Sequence, residues 1–424
     1  MFWYHNQTKH SYQSIRSHPN QLSWQDQPTT YKSYPSHYPK QQLVIENKED
    51  NFLFHIGGLS AKKSYPSGEY YLRMNPSAGA LYPNELYFQA RGVEGLADGI
   101  YHYEVRSASV RLLHSIEGNE GIEPYLGFAT PMRGYLFLVS AIYYRSAWKY
   151  KNRAFRYCLL DAGHLLGSIE ASALLKPHAV QILYDIERDK LNTLFGFDNQ
   201  EFFVAGASVA VPIRGEAVRA VEFALPFVDG SRTFEPNPLI EEAYNETKEL
   251  HSCKRVVKAP KFTYNKEKLV DAIYSRRSQR GFDKGAMTKG QFNFIIDALT
   301  QPVLSDCDEE VSVYAVVNRV LDMPLGLYKD GEYLRYGDLA REAGYLCLEQ
   351  YSLAADSAVT LFLTSSAQNY QALYQKAGII GHRLYIAAEY LRLGCSGIGA
   401  YYDDEVNTFV DNDEMVLYAL AVGK

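Results

Sequence analysis

The sequence predicts an α+β fold built twice, two tandem halves that each carry a central sheet flanked by helices and together form an intramolecular pseudo-dimer. Two recurrences predict the duplication. Tyr87, Val93, Gly99 and Tyr101 return as Tyr314, Val320, Gly326 and Tyr328 at one offset, 314 − 87 = 227. Ala162, Gly163, Ala173, Asp189, Asn192 and Thr193 return as Ala377, Gly378, Ala388, Asp404, Asn407 and Thr408 at a second, 378 − 163 = 215. Constant offsets of this kind mark a repeated structural unit with a small insertion or deletion between the two blocks. Each copy runs helices, strand, strand, long buried helix, loop and final strand. That mixed order fits an α+β fold better than a doubly wound parallel sheet.

Residues 1–50 are polar, with turn signals in "SYPSHYPKQQ" instead of periodicity, and read as an extended arm. The first half spans 51–225. It holds a β-rich section at about 71–114, an apolar strand "GYLFLVSAIYY" at 134–144 and a long helical pattern from about 147 to 175. Residues 226–260 read as a polar linker with a short helix, and 261–424 form the second half.

A chain of 424 residues, 46% hydrophobic, has material for two cores of ordinary domain size. Its net charge of −6 argues against bulk attraction to nucleic acid or anionic membrane. The five cysteines are scattered without a C-x-x-C pair, and the eleven histidines lack metal-ligand spacing, so no metal site is expected and a reducing cytoplasm fits best. No apolar run is long enough to span a bilayer, and the polar start lacks the core of a signal peptide. The 35 tyrosines are read first as packing residues. Without G-x-G-x-x-G, G-x-x-x-x-G-K-[ST] or G-x-S-x-G, dinucleotide-binding, P-loop and serine-hydrolase chemistries lose their markers.

Four segments could carry chemistry. In "SRRSQRGF", Arg276, Arg277, Ser278 and Arg280 present guanidinium donors and a hydroxyl suited to phosphate and carbonyl edges, or else complement a helix C-terminus. In "CSGIGAYYDDEV", Gly397 and Gly399 flank Ile398 and precede Ala400, so that a ligand could approach the main chain; a plain turn is the alternative. The first copy has Ile182 and Tyr184 at the two glycine positions. The turn Pro76-Ser77-Ala78-Gly79 is specialised in the opposite sense, since its counterpart "VLSDCDEEV" (303–311) is acidic and lacks glycine. Finally, Arg145, Lys149, Arg153 and Arg156 fall at i, i+4, i+8 and i+11, a basic stripe if the helix is continuous. Such a stripe is either a solvated face or a place where a desolvated lysine acts as a general base. His164 reads as a satisfied core histidine.

Taken together, "PSAGALYPNELY", "GIYHYEV", "WKYKNRAFRYCLLDAGHLL", "SRRSQRGF" and "GIGAYYDDEV" resemble the nitroreductase superfamily of flavin enzymes, in particular its SagB/ThcOx-type dehydrogenases in their tandem form. The resemblance runs from about residue 5 to the end. It implies FMN as cofactor, with each site shared between two halves. Arg276, Ser278 and Arg280 would hold the phosphate and the pyrimidine edge. Gly397, Gly399 and Ala400 would approach flavin N5, and Pro76, Ser77, Ala78 and Gly79 would come from the other half. The retained motifs then complete one site and the lost ones fall in the other, so one FMN per chain is expected. The resemblance also makes Lys149-Tyr150 the catalytic pair that removes a ring C–H proton. This chain stops at Lys424, where simpler relatives add basic phosphate contacts, and Arg153 or Arg156 is expected to compensate. The first half's "LSAKKSY" (59–65) is a degraded counterpart of the arginine segment.

The leading functional expectation is a cytoplasmic flavoprotein that oxidises azoline heterocycles to azoles in a ribosomally made peptide, with a cyclodehydratase as partner. An NAD(P)H-dependent reductase of nitro compounds or quinones needs the same flavin site without the Lys-Tyr pair. A flavin-free scaffold that binds a peptide or partner protein is the third class. Further oligomerisation is left open.

Overall fold

The structure, a computed structural model, describes residues 3–17, 22–45, 51–65, 68–176, 179–215 and 217–424. The stretches 18–21 and 46–50 of the polar arm therefore lie outside the described residues. The chain divides into two compact units. Leu22–Ala259 with Val303–Asp308 form the N-terminal unit, and Met1–Gln21, Pro260–Pro302 and Glu309–Lys424 form the C-terminal unit. Two short helices of the arm, α1 (Trp3–Gln7) and α2 (Tyr12–Ser17), belong to the C-terminal unit. Among the described residues no helix is long and apolar enough to cross a membrane.

The N-terminal unit opens with β1 (Lys40–Gln42), the helix α3 (Phe52–Gly57) and a separate hairpin of β2 (Leu59–Tyr65) and β3 (Gly68–Arg73). There follow β4 (Asn84–Arg91), β5 (Gly99–Glu104), β6 (Ser109–Ser115), the two-residue β7 (Glu120–Gly121), β8 (Met132–Ala141), β9 (Gln181–Leu183), β10 (Phe202–Pro212) and the two-residue β11 (Arg219–Ala220). Seven of these strands form one sheet in the order β1-β6-β5-β4-β8-β10-β9. The central β4 is buried along its whole length although four of its eight residues are polar, and each of the four is hydrogen-bonded: Asn84 to the Ser140 carbonyl, Glu85 to Arg145, Gln89 to the Ile122 amide and Arg91 to Glu123.

The single helix expected over 147–175 is in fact two, α4 (Tyr144–Tyr150) and α5 (Ala154–Ala173), joined by a tight turn. Lys151 ends α4 with φ at +49°, a conformation that a continuing helix cannot adopt. The basic stripe is therefore broken, and it is not a solvated face. Arg145, Arg153 and Arg156 are buried, while Lys149 is half-buried at the end of α4. All twenty residues of α5 are buried, as expected of a helix whose apolar residues run all the way round. The unit is completed by α6 (Arg188–Leu194) and α7 (Pro238–Thr247).

The C-terminal unit repeats the plan with α8 (Lys266–Ser275), α9 (Lys289–Thr300), β12 (Ser312–Val317), β13 (Gly326–Lys329), β14 (Glu332–Tyr336), α10 (Ala340–Leu346), β15 (Val359–Ser365), α11 (Tyr370–Tyr390), β16 (Gly394–Ile398), α12 (Asp403–Val410) and β17 (Met415–Gly423). Its six-stranded sheet runs β14-β13-β12-β15-β17-β16. The register confirms the duplication residue by residue. Tyr87 faces His102 and Phe88 faces Tyr101 in the first copy; Tyr314 faces Lys329 and Ala315 faces Tyr328 in the second, all at the offset of 227. Ala207 pairs with Ile182 as Leu420 pairs with Gly397, which fixes Ile182 and Gly397 as structural equivalents.

The recurring residues have recurring jobs. Tyr101 donates its hydroxyl to the Ala97 carbonyl at 2.8 Å and Tyr328 donates to that of Pro324 at 2.9 Å, each closing the turn before its strand. A Cβ at Gly99 would meet the His114 carbonyl oxygen at 2.8 Å, and one at Gly326 would meet that of Arg335 at 2.0 Å. Glycine is needed at both, because the adjoining strand crosses too closely for a side chain.

The buried Arg145 ties the start of α4 to the sheet. It pairs with Glu85 of β4 at 2.6 Å and donates to the carbonyls of Tyr82 and Gly230, each at 3.0 Å. Burial pushes the Glu85 carboxyl up, but Arg145, His102 and Arg73 outweigh it and hold the group down at about 2. A carboxylate held below its unfolded pKa stabilises the fold above that unfolded value and loses the contribution as pH falls. Arg145→Ala, which leaves Glu85 buried and uncompensated, is expected to cost about 3–5 kcal/mol in urea unfolding at pH 7. The difference from wild type should narrow as pH falls from about 4.5 toward 2; a loss under about 1 kcal/mol at pH 7 would show that the pair is dispensable.

Candidate active site

Each unit holds one cluster of the residues singled out above. In the N-terminal unit the cluster begins at the turn Pro76–Gly79, between β3 and β4. Ser77 donates its hydroxyl to Asp161 of α5 at 2.5 Å and accepts from the Tyr82 amide at 2.9 Å, while the Ala78 amide donates to Asp161 at 3.1 Å. One buried carboxyl thus fixes the turn to the helix. The chain then passes through the left-handed region at Gly79, Ala80 and Tyr82, with φ of +61°, +50° and +45°. For the two non-glycine residues this costs of order 1 kcal/mol each, the kind of strain that a surrounding framework has to hold in place.

Gly79 is where the turn meets α4. A Cβ there would lie 2.7 Å from the Tyr150 hydroxyl and 3.1 Å from the Lys149 ammonium nitrogen. Both functional groups are therefore packed against the turn's main chain, a placement that glycine alone permits. Tyr70 donates to the Gly79 carbonyl at 3.1 Å, and Tyr150 stacks on Tyr157 with ring centroids 4.1 Å apart. The half-buried Lys149 and Tyr150 set an amine and a phenol side by side.

In the C-terminal unit, α8 starts from the cap of Asn265, whose side chain accepts from the Lys268 amide, and ends at Arg276. The chain then runs beside the edge strand β16. Ser278 forms a parallel bridge with Cys395, and the Gln279 amide donates to the Cys395 carbonyl at 2.9 Å. Tyr385 of α11 locks the two together. Its hydroxyl lies 2.9 Å from the Ser278 hydroxyl and accepts from the Gly397 amide at 2.7 Å. Burial raises the Tyr385 phenol to about 12, so it stays a neutral hydrogen-bonding group. The Arg276 guanidinium, itself buried, lies 5.2 Å from the centre of the Tyr385 ring. Arg277 donates to the Tyr274 carbonyl at 3.0 Å, and Arg280 is exposed.

Residues 273–424 match the model of the Nitroreductase family. This part of the chain is a nitroreductase-family domain. Over 96 residues, 22% of the chain, it is 32% identical to a candidate nitroreductase of Methanocaldococcus jannaschii, and it spans about half (48%) of that relative's length. The crystal structure of a candidate nitroreductase from Anabaena variabilis superimposes over 99% of this chain and 98% of its own, with a TM-score of 0.79 and 28% identity.

The donor set of the nitroreductase domain suits a phosphate-like anion. Arg276, Arg277 and Arg280 offer planar cationic forks, and burial raises the pKa of neighbouring Glu389 even though Arg276 and Arg277 draw it down. Gly397 and Ile398 lie in the edge strand β16, whereas a loop was expected. Gly397 has a packing reason of its own, since a Cβ there would fall 2.0 Å from the Tyr418 hydroxyl. Gly399 and Ala400 follow the strand. Arg153 and Arg156 lie buried at the start of α5, in the other unit from the arginine segment.

Sequence reasoning missed Asp161 and Tyr385. A lone carboxylate inside the apolar run "RYCLLDAGHLL" was the signal for the first; nothing in "HRLYIAAEY" sets Tyr385 apart from a packing tyrosine. It also missed the disulfide Cys253–Cys307, which joins cysteines 54 residues apart.

Burial lifts the Asp161 carboxyl to about 7, against the pull of its bonds from Ser77 and Ala78. A carboxyl raised in this way binds more protons folded than unfolded, so ionising it costs stability as pH rises from about 4 to about 7, after which the penalty is constant. Asp161→Asn should remove that slope. The difference in unfolding free energy between wild type and variant is expected to change across this window and level off above it, and a difference that stays flat from pH 4 to 7 would show that Asp161 does not titrate there.

Proposed function

We propose that this chain is an FMN-dependent oxidoreductase of the SagB/ThcOx type, oxidising an azoline ring of a modified peptide to an azole. The observation that supports this reading best is the packing of Lys149 and Tyr150 against Gly79. Abstraction of a C–H proton needs a group that takes the proton and a second that orients it, held rigidly together. The pair at the end of α4, backed by a turn anchored on Asp161, has that form.

In this reading Arg276, Arg277 and Arg280 bind the FMN phosphate, and Ser278 with the main chain of Gly397, Ile398, Gly399 and Ala400 receives the ring system. FMN, when bound, would supply the hydride acceptor: the electron pair left by the abstracted C–H proton becomes the new ring double bond as the hydrogen on the adjacent ring atom leaves as hydride, and the protein's own residues take the proton. Lys149 and Tyr150 receive it at the amine nitrogen or the phenol oxygen. A cyclodehydratase that makes azolines is the partner such an enzyme requires, and O2 would be its final acceptor.

The test uses a thiazoline- or oxazoline-containing peptide with purified enzyme. Lys149→Ala and Tyr150→Phe are each expected to lower kcat by about 10²–10⁴-fold while the bound-flavin absorbance stays at the wild-type level. Unchanged azoline oxidation in both variants would rule the mechanism out. Rapid anaerobic bleaching of the flavin by NAD(P)H, with both variants as active as wild type, would point to a reductase instead.

A further inference from the structure

The duplication raises the question of what became of the second copy of the site. Its three parts can be located by sequence correspondence and, for the glycine positions, by register. The arginine segment's counterpart, Leu59–Tyr65, is β2, zipped into a hairpin with β3 and carrying no arginine. The positions of Gly397 and Gly399 are filled by Ile182 and Tyr184, both buried. The counterpart of the Pro76–Gly79 turn falls within 303–308, since 303 − 227 = 76, and this segment belongs to the same unit as Ile182 and Tyr184.

The last two parts are bonded to each other. The Ile182 amide donates to the Leu304 carbonyl at 2.8 Å, and the Asp306 amide donates to the Ile182 carbonyl at 3.3 Å. Both carboxylate oxygens of Asp306 accept from this stretch, one from the Tyr184 amide and the other from that of Asp185, each at 2.9 Å. On its far side the segment is held as well. The Val256 amide donates to the Ser305 carbonyl at 2.9 Å and the Asp308 amide to that of Lys254 at 2.6 Å. Ser305 sits between Ile182, with parallel pairing, and Val256, with antiparallel pairing, so 303–308 adds to the edge of the seven-stranded sheet as a further strand would. Val303, Ser305 and Cys307 are buried, and Cys307 is joined to Cys253.

We infer that the second ligand site is sealed from within. Residues 303–308 occupy the main-chain amides of Ile182, Tyr184 and Asp185, the counterparts of Gly397, Gly399 and Ala400, and the Cys253–Cys307 disulfide clamps the segment in place. The three losses are of different kinds: arginines replaced by a hairpin whose Lys62 pairs with Glu69, glycines replaced by an isoleucine and a tyrosine, and a bare turn converted to a paired strand. Restoring a single feature would not reopen the site. Naming FMN as the excluded ligand rests on the reading in the preceding subsection; the seal itself rests only on these bonds.

The full-length chain is incubated with excess FMN and desalted. The flavin-to-protein ratio is read from absorbance, and hydrogen–deuterium exchange is followed over 180–186 and 302–308 with and without FMN. A ratio near one is expected, with both segments slow to exchange and unaffected by FMN. A ratio near two, or protection that changes when FMN is added, would overturn the seal. A ratio of zero would overturn the flavin reading while leaving the seal intact if the two segments still exchange slowly; fast exchange there would overturn the seal whatever the ratio. In Cys253→Ser/Cys307→Ser, and in wild type treated with a reductant, exchange over 302–308 is expected to quicken by about tenfold or more with the ratio unchanged. Exchange as slow as in the oxidised wild type would remove the disulfide from the proposal.

Discussion

An edge strand leaves one side of its main chain without a partner in the sheet, and how those N–H and C=O groups are satisfied governs most of what distinguishes the two halves of this protein. At β16 the requirement is met lightly: Ser278 bridges Cys395, and Tyr385 accepts the Gly397 amide. At β9, the equivalent strand, it is met by a whole added segment, 303–308. The same fold and the same register therefore give one edge that stays close to cationic side chains and a second edge that is closed.

The buried polar groups around the turn after β3 follow a related logic. A carboxyl enclosed in apolar surroundings is costly unless it is hydrogen-bonded, and Asp161 spends its two oxygens on a hydroxyl and an amide of one turn. That arrangement holds three residues in the left-handed region and brings Gly79 against Tyr150 and Lys149. Arg145 acts similarly at the start of α4, bridging Glu85 and two carbonyls. The Lys-Tyr pair is thus fixed by groups at both ends of the short helix that carries it.

Much of this was legible in the sequence. Two constant offsets predicted the duplication, and the pairings of Tyr87 with His102 and of Tyr314 with Lys329 bear it out, because a register that buries one face of a strand cannot slip by one residue without exposing that face. The turn, the arginine segment and the Gly-Ile-Gly stretch could each be named from residue type, since bare main chain and planar cations leave a compositional trace. The break at Lys151 could not, because a single residue with positive φ is set by the packing around it and lysine has no preference for that conformation.

What the sequence alone determined is which copy kept each motif, because the presence or loss of a glycine or an arginine is visible without coordinates. What only the tertiary structure decided is what those motifs touch. Ser77 lies 84 positions from Asp161, Cys253 lies 54 from Cys307, and Ile182 lies more than a hundred from Leu304. Contacts over such separations come from the sheet closing long loops, and loop closure leaves no local periodicity or composition from which they could be read.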